Sequence, residues 1–157
     1  MNRNGLTVLF SWFLVFIWLV VIFYLSTQPA ADSSNLSKKV TKVIIEIIPL
    51  DNEVSTTENL IAKLEPSIRK LGHFSEYFVL GLLVANAFRV SGVFGFKAFI
   101  YSLLFCILYA VSDEFHQYFV PGRSTEFGDV VIDTIGSFIG VSLYYLISRL
   151  RQVIANN

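Results

Sequence analysis

From Gly5 to Ala31 the chain reads GLTVLFSWFLVFIWLVVIFYLSTQPAA, 27 residues without a charge. Roughly twenty apolar residues suffice to carry a helix across the hydrocarbon layer of a bilayer, so this run predicts a membrane span. Arg3 ahead of it and Ala30-Ala31 behind it are features of a signal peptide. The apolar part, however, exceeds the roughly 7–15 residues of a signal core and the cleavage pattern is poor, so the segment is expected to stay in the chain. Three more segments frame at twenty residues each, giving expected spans at 6–25, 69–88, 94–113 and 129–148. The uncharged interiors of the last three, Tyr77–Phe88, Ala98–Ser112 and Thr134–Ser148, are twelve to fifteen residues long. Beside one unambiguous span they read as spans rather than as buried helices of a soluble fold.

The connection 32–68 has a pattern of its own. In SKKVTKVIIEIIPL, Val40, Val43, Ile44, Ile47 and Ile48 fall at i, i+3, i+4, i+7 and i+8, one apolar stripe on a short helix that Pro49 ends. A second helix is expected after Ser55, with Glu58 completing a capping box and Leu60, Ile61 and Leu64 forming its stripe. Such helices lie in the headgroup region, lid the bundle, or simply cover the loops. The expectation is an all-α membrane protein: one domain over 1–157, a four-transmembrane-helix bundle with an amphipathic insertion in the first extracytoplasmic connection.

Composition agrees. Of 157 residues 54% are hydrophobic and only 15% charged, against roughly 25% charged in soluble domains. Twelve basic and twelve acidic residues cancel, which leaves no global field to suggest nucleic acid. The lone Cys106 cannot form an intrachain disulfide. Arg3, Arg89, Lys97, Arg149 and Arg151 mark one side and the acidic connection 112–129 the other. The positive-inside tendency therefore places both termini in the cytoplasm, with Lys38, Lys39 and Lys42 as a dissenting cluster.

The charges inside the spans carry the chemistry. With the frames above, Arg69, His73 and Glu76 sit in the outer part of span two, Asp113 closes span three, and Asp129 and Asp133 open span four. At about 1.5 Å per residue Glu76 lies roughly 10 Å and Asp133 roughly 6 Å below the starts of their helices, so three spans bring their polar residues to one leaflet. Arg69, His73 and Glu76 share a helix face that Leu80 continues. Asp113, His116 and Gln117 share another, while Glu114 points away from His116. Asp129 and Asp133 form an i, i+4 pair. Facing lipid would be costly for all of them, so they belong in the bundle interior, paired or wetted. Pro121-Gly122 reverses the chain and presents Arg123, whose planar guanidinium suits a phosphate or carboxylate, with Ser124 and Thr125 as further donors. Gly136 and Gly140 on span four, and Gly81 and Ala85 on span two, form small-residue strips expected to pack within the chain, with a homodimer as the other use.

Four stretches, YLSTQP (24–29), RKLGHFSEYFVLG (69–81), SDEFHQYFVPGRS (112–124) and DVVIDTIGSFIG (129–140), give the chain its likeness to known proteins. It resembles the VanZ-like family of small bacterial membrane proteins, whose founding member is associated with low-level resistance to teicoplanin. The family's polar signature falls on His73, Glu76, Asp113, Glu114, His116, Gln117, Arg123, Asp129 and Asp133; the 32–68 connection is outside the resemblance. What the resemblance implies is a bacterial plasma-membrane protein acting near cell-envelope chemistry, with no reaction specified.

Three readings follow. In the first, Arg69, Arg123, the histidines and the acids bind a lipid-linked or amphiphilic envelope molecule, such as a cell-wall precursor, or a glycopeptide. In the second the chain is a hydrolase or transferase, with His73, Glu76, Asp113, His116 or Asp133 as proton acceptor. No serine or cysteine nucleophile stands out. No cofactor is expected, although two histidines plus carboxylates leave a divalent metal open. In the third the charges merely satisfy one another inside the bundle.

Overall fold

The computed structural model describes residues 5–47, 54–123 and 125–155. They form five helices, and no strand occurs among them: α1 (Gly5–Ser26), α2 (Ala30–Ile47), α3 (Val54–Val90), α4 (Gly95–Gln117) and α5 (Phe127–Ala155). α1, α4, α5 and residues 59–90 of α3 are each long and apolar enough to cross a membrane. α2 is the amphipathic helix of the first connection. The second helix expected there is not separate. It is the N-terminal part of α3, which runs unbroken through Pro66 into the expected span. Proline removes one rung of the helix ladder, the bond to the carbonyl of Ala62. Both residues are exposed, so that carbonyl is not forced to stay dry. Ile48, Pro49 and Ser124, and the side chains of Ile47, Ser55 and Glu58, lie outside what the structure describes.

The bundle is inverted relative to a soluble protein. Many interior positions are small or polar: Ser11 and Ser26 on α1, Ser102, Ala110 and Asp113 on α4, Asp133 and Ser137 on α5. Large apolar residues point outward on every span, among them Phe10, Phe13 and Phe16 of α1, Leu104 and Leu108 of α4, and Phe138 and Leu146 of α5. An exposed apolar surface of this extent is expected where lipid, not water, is the solvent. The apolar core proper gathers Val15 and Ile22, Tyr77, Leu80 and Val84, and Cys106 and Ala110.

The closest helix pair is α3 with α5, and glycines make it so. A Cβ on Gly136 would run into the carbonyl of Phe74, one on Gly140 into that of Phe78, and one on Gly81 would come 2.6 Å from the carbonyl of Ser137. These are backbone-to-backbone contacts that only glycine permits. They pair Phe74 with Gly136 and Phe78 with Gly140, so α3 and α5 run parallel. The small-residue strip is thus used within the chain. α1 runs antiparallel to α3 and parallel to α4: Trp12 packs on Phe88 and Phe105, Trp18 Nε1 donates to the Glu76 carbonyl at 2.9 Å, and Tyr109 Oη donates to that of Leu19 at 2.7 Å. Gly92, with φ of 98°, ends α3 and allows the short turn into α4.

Candidate functional site

The glycine register of α3 on α5 has a direct chemical result. On the N-terminal side of those contacts it sets His73 Nδ1 3.7 Å from Asp133 Oδ1. That separation is too long for a hydrogen bond, and both atoms are buried without one. Asp133 is 2% exposed and Asp113 4%. Asp113 is anchored through one oxygen only: Oδ2 accepts from Ser26 Oγ at 2.7 Å and from Gln117 Nε2 at 3.1 Å, while Oδ1 is buried and unpaired. Gln117 Nε2 also reaches Ser26 Oγ at 3.2 Å, closing a triangle among α1 and α4. Asp113 lies within electrostatic reach of His73, Glu76, Arg123 and Asp133. Residues far apart in the chain, on three spans and a turn, therefore form one polar centre.

A chamber of about 520 Å³ opens beside it. Its apolar wall comes from α2, where Leu36, Val40 and Ile44 repeat every four residues, and from Leu25 and Ile68. Its polar wall carries Arg69, His73 and Glu76 of α3 together with Arg123. A second, narrower recess of about 50 Å³ is lined by Gln117, Glu126 and Asp129, and shares Ser33, Arg69, His73 and Arg123 with the chamber. A mostly apolar volume and a polar one thus stand side by side, with these four residues common to both walls.

The two arginines differ. Arg123 Nε donates to the Gln28 carbonyl at 3.0 Å and its Nη2 to the Leu25 carbonyl at 3.1 Å, so it caps the C-terminal end of α1. Burial draws its pKa down from the ordinary arginine value, against the pull of Asp113, Glu76 and Glu114; arginine stays charged throughout. The PG turn that delivers Arg123 is held by Gly122, at φ of 77°, against Ala30, whose N–H reaches the Pro121 carbonyl at 3.5 Å. Arg69 lines both volumes and makes no hydrogen bond or ion pair with any described residue.

Of the residues singled out from sequence, Arg69, His73, Glu76, Arg123, Gln117 and Asp129 line the two volumes, and Asp113 and Asp133 lie buried behind them. Two stand elsewhere. His116 packs against Phe23 of α1 with the rings tilted by 35° and their centroids 4.6 Å apart, and lines neither volume. Glu114 Oε1 accepts from the Glu126 N–H at 2.6 Å, a tie across the 118–126 connection. Among the described residues no three of His, Cys, Asp or Glu are grouped to hold a metal ion. Ser26, Gln28, Ser33 and Tyr77 belong to the centre but were not singled out. Tyr77 Oη is buried and unpaired beside Asp113 and Asp133; the signal was its i+4 spacing from His73. Ser26 stood in the YLSTQP stretch, with nothing local to name its partner.

A family profile described as VanZ/LLP1 matches residues 10–148, a range that takes in the 32–68 connection. Comparisons with curated proteins and with solved structures give no match. The chain belongs to the VanZ/LLP1 family.

Proposed function

From that membership we propose that this membrane protein binds an amphiphilic, lipid-linked molecule of the cell envelope, its apolar tail in the chamber and its anionic head at Arg69 and Arg123. The observation that carries the reading is the adjacency of the two volumes: a chamber with an apolar wall from Leu36, Val40 and Ile44 shares Arg69 and Arg123 with a polar recess. A soluble metabolite has no need of the first, and a plain hydrocarbon none of the second. Glu76 in the chamber and Gln117 and Asp129 in the recess add hydrogen-bonding capacity for hydroxyl or amide groups of the head. We place the termini in the cytoplasm, so that the site faces the outer leaflet. Sequestering an envelope precursor there would change how much of it a glycopeptide meets, in keeping with the family's general link to glycopeptide resistance.

The test uses the delipidated full chain and two probes, a polyprenyl phosphate and the matching uncharged polyprenol. Native mass spectrometry should show the phosphate retained at least tenfold better than the alcohol, and the preference abolished by Arg69→Ala. Equal retention of both probes would remove the proposal.

One observation favours a second reading. His73 lines the same chamber, and its Nδ1 lies 3.7 Å from Asp133 Oδ1 behind it, a pair that a small shift would close into a base and its orienting carboxylate. In a hydrolase or transferase His73 would accept a proton from water or a substrate hydroxyl. Turnover of a lipid-linked phosphate by wild type, absent in His73→Asn, would establish it.

A further inference from the structure

α2 presents three faces. Ser37, Thr41 and Ile45 are buried toward α3, and Leu36, Val40 and Ile44 line the chamber on one flank. At 100° per residue the opposite flank belongs to Lys38 and Lys42, with Lys39 beside them. The three lysines and Asn35 line a separate groove of about 520 Å³, floored by Ile61 and Ala62 of α3. Among the described residues no acidic one lines it, and none of the lysines is paired with a described residue. These are the basic residues that run against the charge pattern of the other connections, and the chamber makes no use of them.

We propose that this groove binds the phosphodiester headgroup of an anionic bilayer lipid. Three ammonium groups within five residues, with no counter-charge among the described residues lining the groove, make a local positive site, and each basic residue near an anionic leaflet strengthens association on the order of fivefold. The occupant is a bilayer lipid rather than a soluble polyanion because of what surrounds the charge. The groove floor is apolar, and Leu36, Val40 and Val43 stand exposed on the same helix. Such a helix settles where hydrocarbon meets headgroups, lysines reaching outward along their apolar stems. The proposal does not rest on the chamber or its ligand.

The experiment incubates the delipidated full chain with equimolar phosphatidylglycerol and phosphatidylcholine and counts retained lipids by native mass spectrometry. Wild type should retain phosphatidylglycerol on the order of tenfold better at low salt, and the preference should collapse at about 0.5 M salt, where screening shortens to a few ångström. Substituting Lys38, Lys39 and Lys42 together by Gln should remove it, and substituting all three by Arg should keep it. Arg69→Ala should leave it intact while emptying the chamber of polyprenyl phosphate. A preference that survives high salt, persists in the Gln variant, or disappears in Arg69→Ala would overturn the proposal. So would loss of the preference in the Arg variant. Capture of an acidic peptide in place of either lipid would do so too.

Discussion

The bundle holds two polar networks at opposite ends, and they are built on different principles. At one end Asn86 Nδ2 donates to Ser11 Oγ at 3.2 Å and Asn86 Oδ1 accepts from Tyr144 Oη at 3.1 Å, with Trp12 Nε1 donating to Ser91 Oγ at 3.0 Å nearby. Every member is neutral, and none of these side chains has a buried polar atom left unpaired. At the other end Asp113, Asp133, His73 and Tyr77 each keep a buried polar atom without a partner. A satisfied neutral network inside a membrane protein holds helices together and has no capacity left for a visitor. An ionisable centre with unused acceptors is costly to keep, and it is the kind of expense that function explains. On the proposed reading the Asn86 end is scaffolding and the His73 end carries the ligand chemistry.

The largest effect is expected from breaking what both ends share. Gly140→Leu forces a side chain against the Phe78 carbonyl, between two backbones that cannot part without separating α3 from α5. A loss of about 3 kcal/mol or more is expected, seen as a collapse of monodisperse yield and of the unfolding midpoint. Next come the arginines. Arg69→Ala should abolish retention of polyprenyl phosphate with the unfolding midpoint unchanged, because Arg69 makes no bond with any described residue. Arg123→Ala should lose both, since the Leu25 and Gln28 carbonyls lose their donor. If the two variants behave alike, the distinction between a ligand contact and a cap is wrong. Asp133→Asn keeps the shape and replaces a buried ionisable group with a neutral amide; the midpoint should hold or rise while retention falls several-fold, the trade expected of a functional site. Smallest is Asn86→Ala. It should cost roughly 1 kcal/mol, read from the midpoint, and leave ligand retention untouched. A retention loss there would dissolve the contrast between the ends.

Much of this was legible in the sequence because bilayers impose a length scale. Charge-free runs near twenty residues announce spans, and charges that interrupt them announce positions that cannot face lipid. The insertion was harder. A separate helix was expected after Ser55 and the span only from residue 69, yet one helix passes straight through Pro66, since exposed backbone tolerates a missing rung. The stripe on α2 was visible, but not that Val40 and Ile44 wall a chamber, because that depends on where α2 lies against α3. Arg123 read naturally as an anion contact. Its hydrogen bonds to carbonyls 95 and 98 residues earlier could not be inferred from local pattern. Asp113 and Ser26, 87 residues apart, pose the same problem.

The parallel seam between α3 and α5 has one more implication. With three glycines in contact with a neighbouring backbone, α5 can shift along α3 only in steps of about a helical turn, roughly 5.4 Å, and such a step would carry Asp133 out of range of His73. The spacing of that pair is therefore as stiff as the peptide chain itself. Adaptation to a bulkier or longer guest must come from the opposite wall, where α2 meets the chamber with side chains alone and a substitution at Val40 or Ile44 reshapes the space without disturbing the acids.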